Sequence, residues 1–138
     1  MALAIVVTLE KELPEAMAAY VKANSGKALA RETDKLDFTA RRKGAAQFTS
    51  LLSENQAALI EQLKAEGFDP SKMRLPPETW FDASEGLKTV RAVAEFVGAN
   101  LNDFKQPNSI LKDLKAAEAL LTAAQEAGVR FHLTKAVL

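Results

Sequence analysis

Trp80-Phe81-Asp82-Ala83-Ser84-Glu85-Gly86-Leu87-Lys88-Thr89-Val90-Arg91-Ala92-Val93-Ala94-Glu95-Phe96-Val97 is the most apolar helical pattern in the chain and holds its one tryptophan. Asp82 stands where a helix should start and Glu85 follows three residues later. The two side chains are therefore placed to satisfy orphan backbone N–H groups as a capping box, with the helix beginning near Ala83. Leu87, Val90, Ala94, Val97 and Leu101 recur at helical spacing and Val93 and Phe96 widen the arc, leaving Lys88, Arg91 and Glu95 as one narrow polar stripe. A helix apolar over most of its circumference is expected to be central and covered on several sides, with Gly98 and Asn100 as stop residues.

The chain around this helix has 138 residues, with 18 Lys plus Arg balancing 18 Asp plus Glu. That length suits one domain whose core needs neither a metal nor a disulfide. Zero formal charge supplies no general pull toward nucleic acid or an anionic membrane, so neither is expected as a partner. Cysteine is absent, which excludes disulfides, thiolate nucleophiles, iron–sulfur clusters and thiolate zinc sites. One histidine, His132, leaves little for an imidazole metal site, and no metal or cofactor is expected. The apolar run Ala2 to Val7 has no basic segment before it and is followed by Glu10, Lys11 and Glu12, unlike a signal peptide. No run reaches the roughly 20 apolar residues of a membrane span. The expectation is a soluble cytoplasmic protein of bacterial type.

Leu3, Ile5 and Val7 alternate with Ala4, Val6 and Thr8, a strand apolar on both faces and hence buried. Pro14 opens a helix with Leu13, Met17, Tyr20 and Val21 on one face, ended by Asn24-Ser25-Gly26. Lys27 to Lys43 admits a strand at Leu36 to Ala40. The longer helical pattern of Leu29, Thr33, Leu36 and Ala40 is favoured, capped by Ser25 and closed by Arg41-Arg42-Lys43 and Gly44. Phe48, Leu51 and Leu52 make an apolar connector. Ser53 and Gln56 form a second possible capping box for a helix anchored by Ile60 and Leu63 and closed by Gly67. Asp69-Pro70 and Pro76-Pro77 bracket an irregular loop. After the central helix, Asn108 or Ser109 caps a last helix with Ile110, Leu114, Ala117, Leu121 and Ala124 on one face, ended by Gly128. Val129, Phe131 and Leu133 then alternate with Arg130, His132 and Thr134, a strand with one buried and one wetter face. Paired with the first strand, it closes an α+β, helix-dominated single domain over residues 1–138, with about five helices and a small sheet from the two ends.

Three pieces carry a resemblance: Gly26-Lys27-Ala28-Leu29-Ala30 with Leu36-Asp37, Trp80-Phe81 with Glu85-Gly86-Leu87 and Thr89-Val90, and Gly128-Val129-Arg130-Phe131-His132-Leu133. Together they resemble a family of small bacterial proteins without an assigned activity. The resemblance implies a shared fold and transfers no catalytic residue.

Gly26-Lys27 lacks the earlier glycine and the following Ser or Thr of a phosphate-binding loop, since Val21 and Ala28 occupy those places, and reads as a turn. His132 has a suitable intrinsic pKa for a general base, but without a nucleophile elbow it reads as a half-exposed structural residue. Glu78, Asp82 and Glu85 cluster around Trp80. Capping accounts for Asp82 and Glu85, so a structural role explains more of the cluster; Glu78 has no such explanation, and the functional reading of the three is a binding edge rather than a catalytic pair. Arg41-Arg42-Lys43 lacks interleaved aromatics for base stacking. Trp80-Phe81 reads first as a core plug, second as a hot spot. The candidate binding residues are therefore Trp80, Glu78, Asp82, Glu85 and His132, with no catalytic residue assigned. The leading expectation is a non-enzymatic module that recognises a protein or small ligand near Met73 to Glu85. A small hydrolase or lyase pairing one of these carboxylates with His132, and a structural homo-oligomer subunit, are the alternatives.

Overall fold

The two ends of the chain meet in the computed structural model, which describes residues 3–23, 26–53, 56–75 and 78–137. Strand β1 (Leu3–Leu9) pairs antiparallel with β2 (Phe131–Val137), placing Val7 opposite Leu133 and Leu9 opposite Phe131. Between them, in chain order, lie α1 (Pro14–Ala23), α2 (Lys27–Arg31), α3 (Thr33–Arg42), α4 (Gln56–Ala65), α5 (Ala83–Ala99) and α6 (Pro107–Ala127). The architecture is α+β and helix-dominated. Among the described residues no helix is long and apolar enough to cross a membrane.

A two-stranded sheet exposes a row of backbone donors and acceptors along each outer edge, and these need partners when buried. Here neither partner set comes from a third strand. On β1, the Ile5 N–H donates to the Gly26 carbonyl at 3.0 Å and the Val7 N–H to the Tyr20 hydroxyl at 2.9 Å. On β2, Phe131 exchanges two backbone hydrogen bonds with Phe81, at 2.7 and 2.9 Å, and the Leu133 carbonyl accepts from Ser53 N–H at 3.0 Å. Gly26 has φ +71°, and its backbone lies so close to Ile5 that a Cβ would strike the Ile5 carbonyl. Its role is close approach as well as turning.

Ile5, Val7, Phe131 and Leu133 form the core face of the sheet, against α5 and α6. The central position of α5 is borne out: Leu87, Val90, Val93 and Val97 are buried, and the helix packs against α6 and α3. Gly86 makes the approach to the sheet possible, because a Cβ there would fall 2.5 Å from Phe131 Cζ. On α6, Ile110, Leu114, Ala117, Leu121 and Ala124 are all buried, as their spacing requires.

Several local expectations are corrected. Asp82 occupies the N-cap position of α5, but its side chain makes no cap hydrogen bond, so the capping box with Glu85 does not form. The long helix expected over Lys27 to Lys43 is two helices broken at Glu32. The Thr33 hydroxyl donates to the Leu29 and Ala30 carbonyls, both at 2.9 Å, so the side chain takes acceptors of the preceding turn. Gly44 does end α3, at φ +72°. Helix α6 starts at Pro107 behind Gln106 at φ 51°, so Asn108 and Ser109 lie inside the first turn rather than capping it. Val21 and Leu101, expected on apolar faces, are exposed, and Ile60 and Leu63 are only half-buried. Ser53 accepts from the Thr79 N–H at 2.7 Å; its proposed box partner, the Gln56 side chain, lies outside the described residues. The expected cap Ser25 and the Pro76-Pro77 pair also lie outside them.

Candidate functional site

The alternation of β2 puts His132 on the sheet face opposite Phe131 and Leu133, together with Thr134 and, across the ladder, Thr8. Strand pattern alone leaves that face wet. In the fold, the chain before α5 returns along the outer edge of β2 and lays Glu78 and Trp80 over it, so His132 is fully buried rather than half-exposed. The tether is local: the Phe81 pairing to Phe131 holds one end and the Thr79 to Ser53 hydrogen bond holds the other.

The imidazole is contacted on every polar side. Its Nε2 lies 2.6 Å from Glu78 Oε2, and its Nδ1 lies 3.1 Å from the Leu133 carbonyl and 3.3 Å from Thr134 Oγ1. Thr134 Oγ1 in turn lies 2.8 Å from Thr8 Oγ1. The Trp80 ring covers the imidazole at 4.5 Å between centroids, tilted by 41°. A hydrogen-bonded chain therefore runs Glu78, His132, Thr134, Thr8 across both strands. Proton counting admits two self-consistent states with Glu78 ionised. In one, the neutral ring carries its proton on Nε2, and Nδ1 accepts from Thr134, which accepts from Thr8. In the other, the imidazolium donates from Nδ1 to the Leu133 carbonyl. The two states differ by one proton on Nδ1, and the Thr134 and Thr8 hydroxyls can turn to suit either.

Three of the five sequence-derived candidates thus converge: Glu78, Trp80 and His132. Asp82 and Glu85 do not join them. Both are exposed, Asp82 at the N-cap and Glu85 in the first turn of α5, and Asp82 bears instead on Arg130. Arg130 is held above the usual guanidinium pKa, first by its hydrogen bond to Glu10 and more weakly by the charge of Asp82. Glu10 is correspondingly held below the usual carboxylate range, chiefly by Arg130. Thr8, Ser53 and Thr134 were missed by sequence reasoning. Thr8 and Thr134 are 126 positions apart, and only the register of the terminal strands brings them together.

What the cluster offers to a visitor is limited by burial. The Glu78 side chain is 19 % exposed and His132 not at all, so an outside group meets the carboxylate and the Trp80 edge, never the ring. Among the described residues, open cavities of about 590 to 770 Å³ lie elsewhere, lined by residues other than Glu78, Trp80 and His132. No family model, curated protein or solved structure matches the chain, so function is argued from this geometry alone.

Proposed function

We propose that the domain is a recognition module that presents residues 78–85 to a protein partner carrying basic and apolar side chains. The observation behind this reading is the clamp: Glu78 and Trp80 are locked onto His132, and Phe81 onto Phe131. A segment ordered before its partner arrives spends less conformational entropy on binding. The locked segment leaves Thr79, Asp82 and Glu85 in water, with Trp80 half-buried between them. The stretch leading into it carries two exposed apolar side chains, Phe68 and Met73. Exposed carboxylates beside an aromatic edge complement a basic, apolar partner.

The test is capture from a native lysate with the tagged domain and with a double variant, Asp82→Lys and Glu85→Lys. Both positions are exposed, so the variant is expected to stay folded, with a melting temperature lowered modestly by two cations at the start of α5. A single partner retained by the wild type and weakened at least tenfold in the variant supports the reading. Equal retention by both, or no partner from either, overturns it.

One observation favours a second reading, a carboxylate-dependent hydrolase or lyase. Glu78 and His132 lie within the reach that proton transfer requires. Glu78 would then be the reacting group and His132 its positioning residue. Turnover of any ester, amide or hydroxy-acid in a substrate screen, lost in Glu78→Gln with the fold intact, would favour this reading over recognition.

A further inference from the structure

Helix α3 buries Leu36 and Ala40 and turns a second face toward the end of α5. Between them lies a groove of about 680 Å³, with Phe38, Arg42 and Lys43 on one wall and Phe96 and Phe104 on the other. Phe96 and Phe104 meet edge to face, with centroids 6.1 Å apart. Phe38 is 62 % exposed, so one wall of the groove is an aromatic face open to water. The Arg42 guanidinium stands 5.7 Å from the Phe38 centroid and the Lys43 ammonium 6.0 Å from the Phe96 centroid. Among the described residues neither cation pairs with a carboxylate.

Charge is distributed unevenly along the groove. Asp34 lies in the first turn of α3, and Lys35 donates to the Asp103 backbone carbonyl at 3.0 Å at that end. Arg42 and Lys43 lie eight and nine residues after Asp34, about 12 Å further along the helix at about 1.5 Å per residue. At that end the N–H groups of Lys43, Gly44 and Ala45 engage the Thr39, Ala40 and Arg41 carbonyls, and the two cations offset the negative end of the helix dipole. One end is thus cationic, the middle aromatic, and the volume that of a small-molecule site.

We propose that this groove binds a small aromatic carboxylate, its ring system between Phe38 and the Phe96–Phe104 pair and its carboxylate at Arg42 and Lys43. Arginine takes a carboxylate by two parallel N–H bonds, and the aromatic walls take a flat apolar body by stacking. The site shares no residue with the segment 78–85 and stands independently of the recognition reading.

The probe is 2-naphthoate, titrated calorimetrically and by NMR against the full chain, with 2-naphthylmethylamine as the cation of similar size. One saturable site is expected for naphthoate and none for the amine at the same concentrations. Phe38→Ala, and separately Arg42→Gln with Lys43→Gln, should each weaken naphthoate at least tenfold. All three positions are exposed, and unchanged melting curves confirm the fold. Failure to saturate at millimolar naphthoate, equal binding of the amine, or variants that bind like the wild type would each overturn the proposal. A blocked Glu-Phe-Glu peptide that binds where naphthoate does not would overturn it in favour of a protein occupant. A dimer abolished by Phe38→Ala would overturn it in favour of a second copy of the chain.

Discussion

The two faces of the terminal sheet are built on different physics. One face, Ile5, Val7, Phe131 and Leu133, is apolar and rests on α5 and α6 through burial, which has no preferred direction. The other carries Thr8, His132 and Thr134, tied to Glu78 by hydrogen bonds that work only at one geometry. The first holds the domain together. The second decides where the chain before α5 must lie, because a fully buried imidazole needs its partners.

Substitutions at four positions would break or sharpen this contrast. Val90→Asp places an unpaired carboxylate in the α5 packing that supports the apolar face, and is expected to abolish cooperative unfolding in a thermal melt; a native melt would refute the central position of α5. Phe131→Ala empties the apolar face where Gly86 makes room for the ring, and should cost about 3–5 kcal/mol by chemical denaturation.

The polar face should respond less, and by residue chemistry. Glu78→Ala leaves the buried His132 Nε2 without an acceptor, at about 1–3 kcal/mol. Glu78→Gln keeps an acceptor oxygen, so a neutral ring predicts recovery of most of that loss. An imidazolium predicts that Gln behaves nearly as badly as Ala.

The smallest effect is expected outside both faces, at the exposed Glu10–Arg130 pair. Glu10 has a lowered folded pKa, so its contribution is present above the unfolded carboxylate pKa and lost as pH falls through the folded one. Solvent and salt screen it, so Glu10→Gln should leave the neutral-pH melting temperature nearly unchanged and slightly flatten its fall on acidification.

The apolar face was legible in advance because helical and strand periodicity report burial directly. Leu87, Val90 and Val97 on α5, the apolar stripe of α6 and the pairing of the two ends all followed from spacing. Capping was less legible. Asp82 and Glu85 have the spacing of a capping box and do not form one, since that spacing is necessary but does not orient a side chain. At the site, Glu78 was identifiable as a carboxylate that capping did not account for, and Trp80 as an aromatic read first as a core plug and second as a hot spot. The burial of His132 was not, because it depends on what crosses over the strand from 54 positions away.

By itself, the sequence determined the class of the fold, the central helix and the pairing of the termini, since each depends on periodic patterns within one element and on its apolar content. Only the tertiary structure decided that His132 is sealed beneath Trp80 against Glu78, and that Phe38, Arg42 and Lys43 face Phe96 and Phe104 across a groove. Those contacts join residues on separate elements. No local periodicity encodes the register or crossing that brings such residues within hydrogen-bonding or stacking distance.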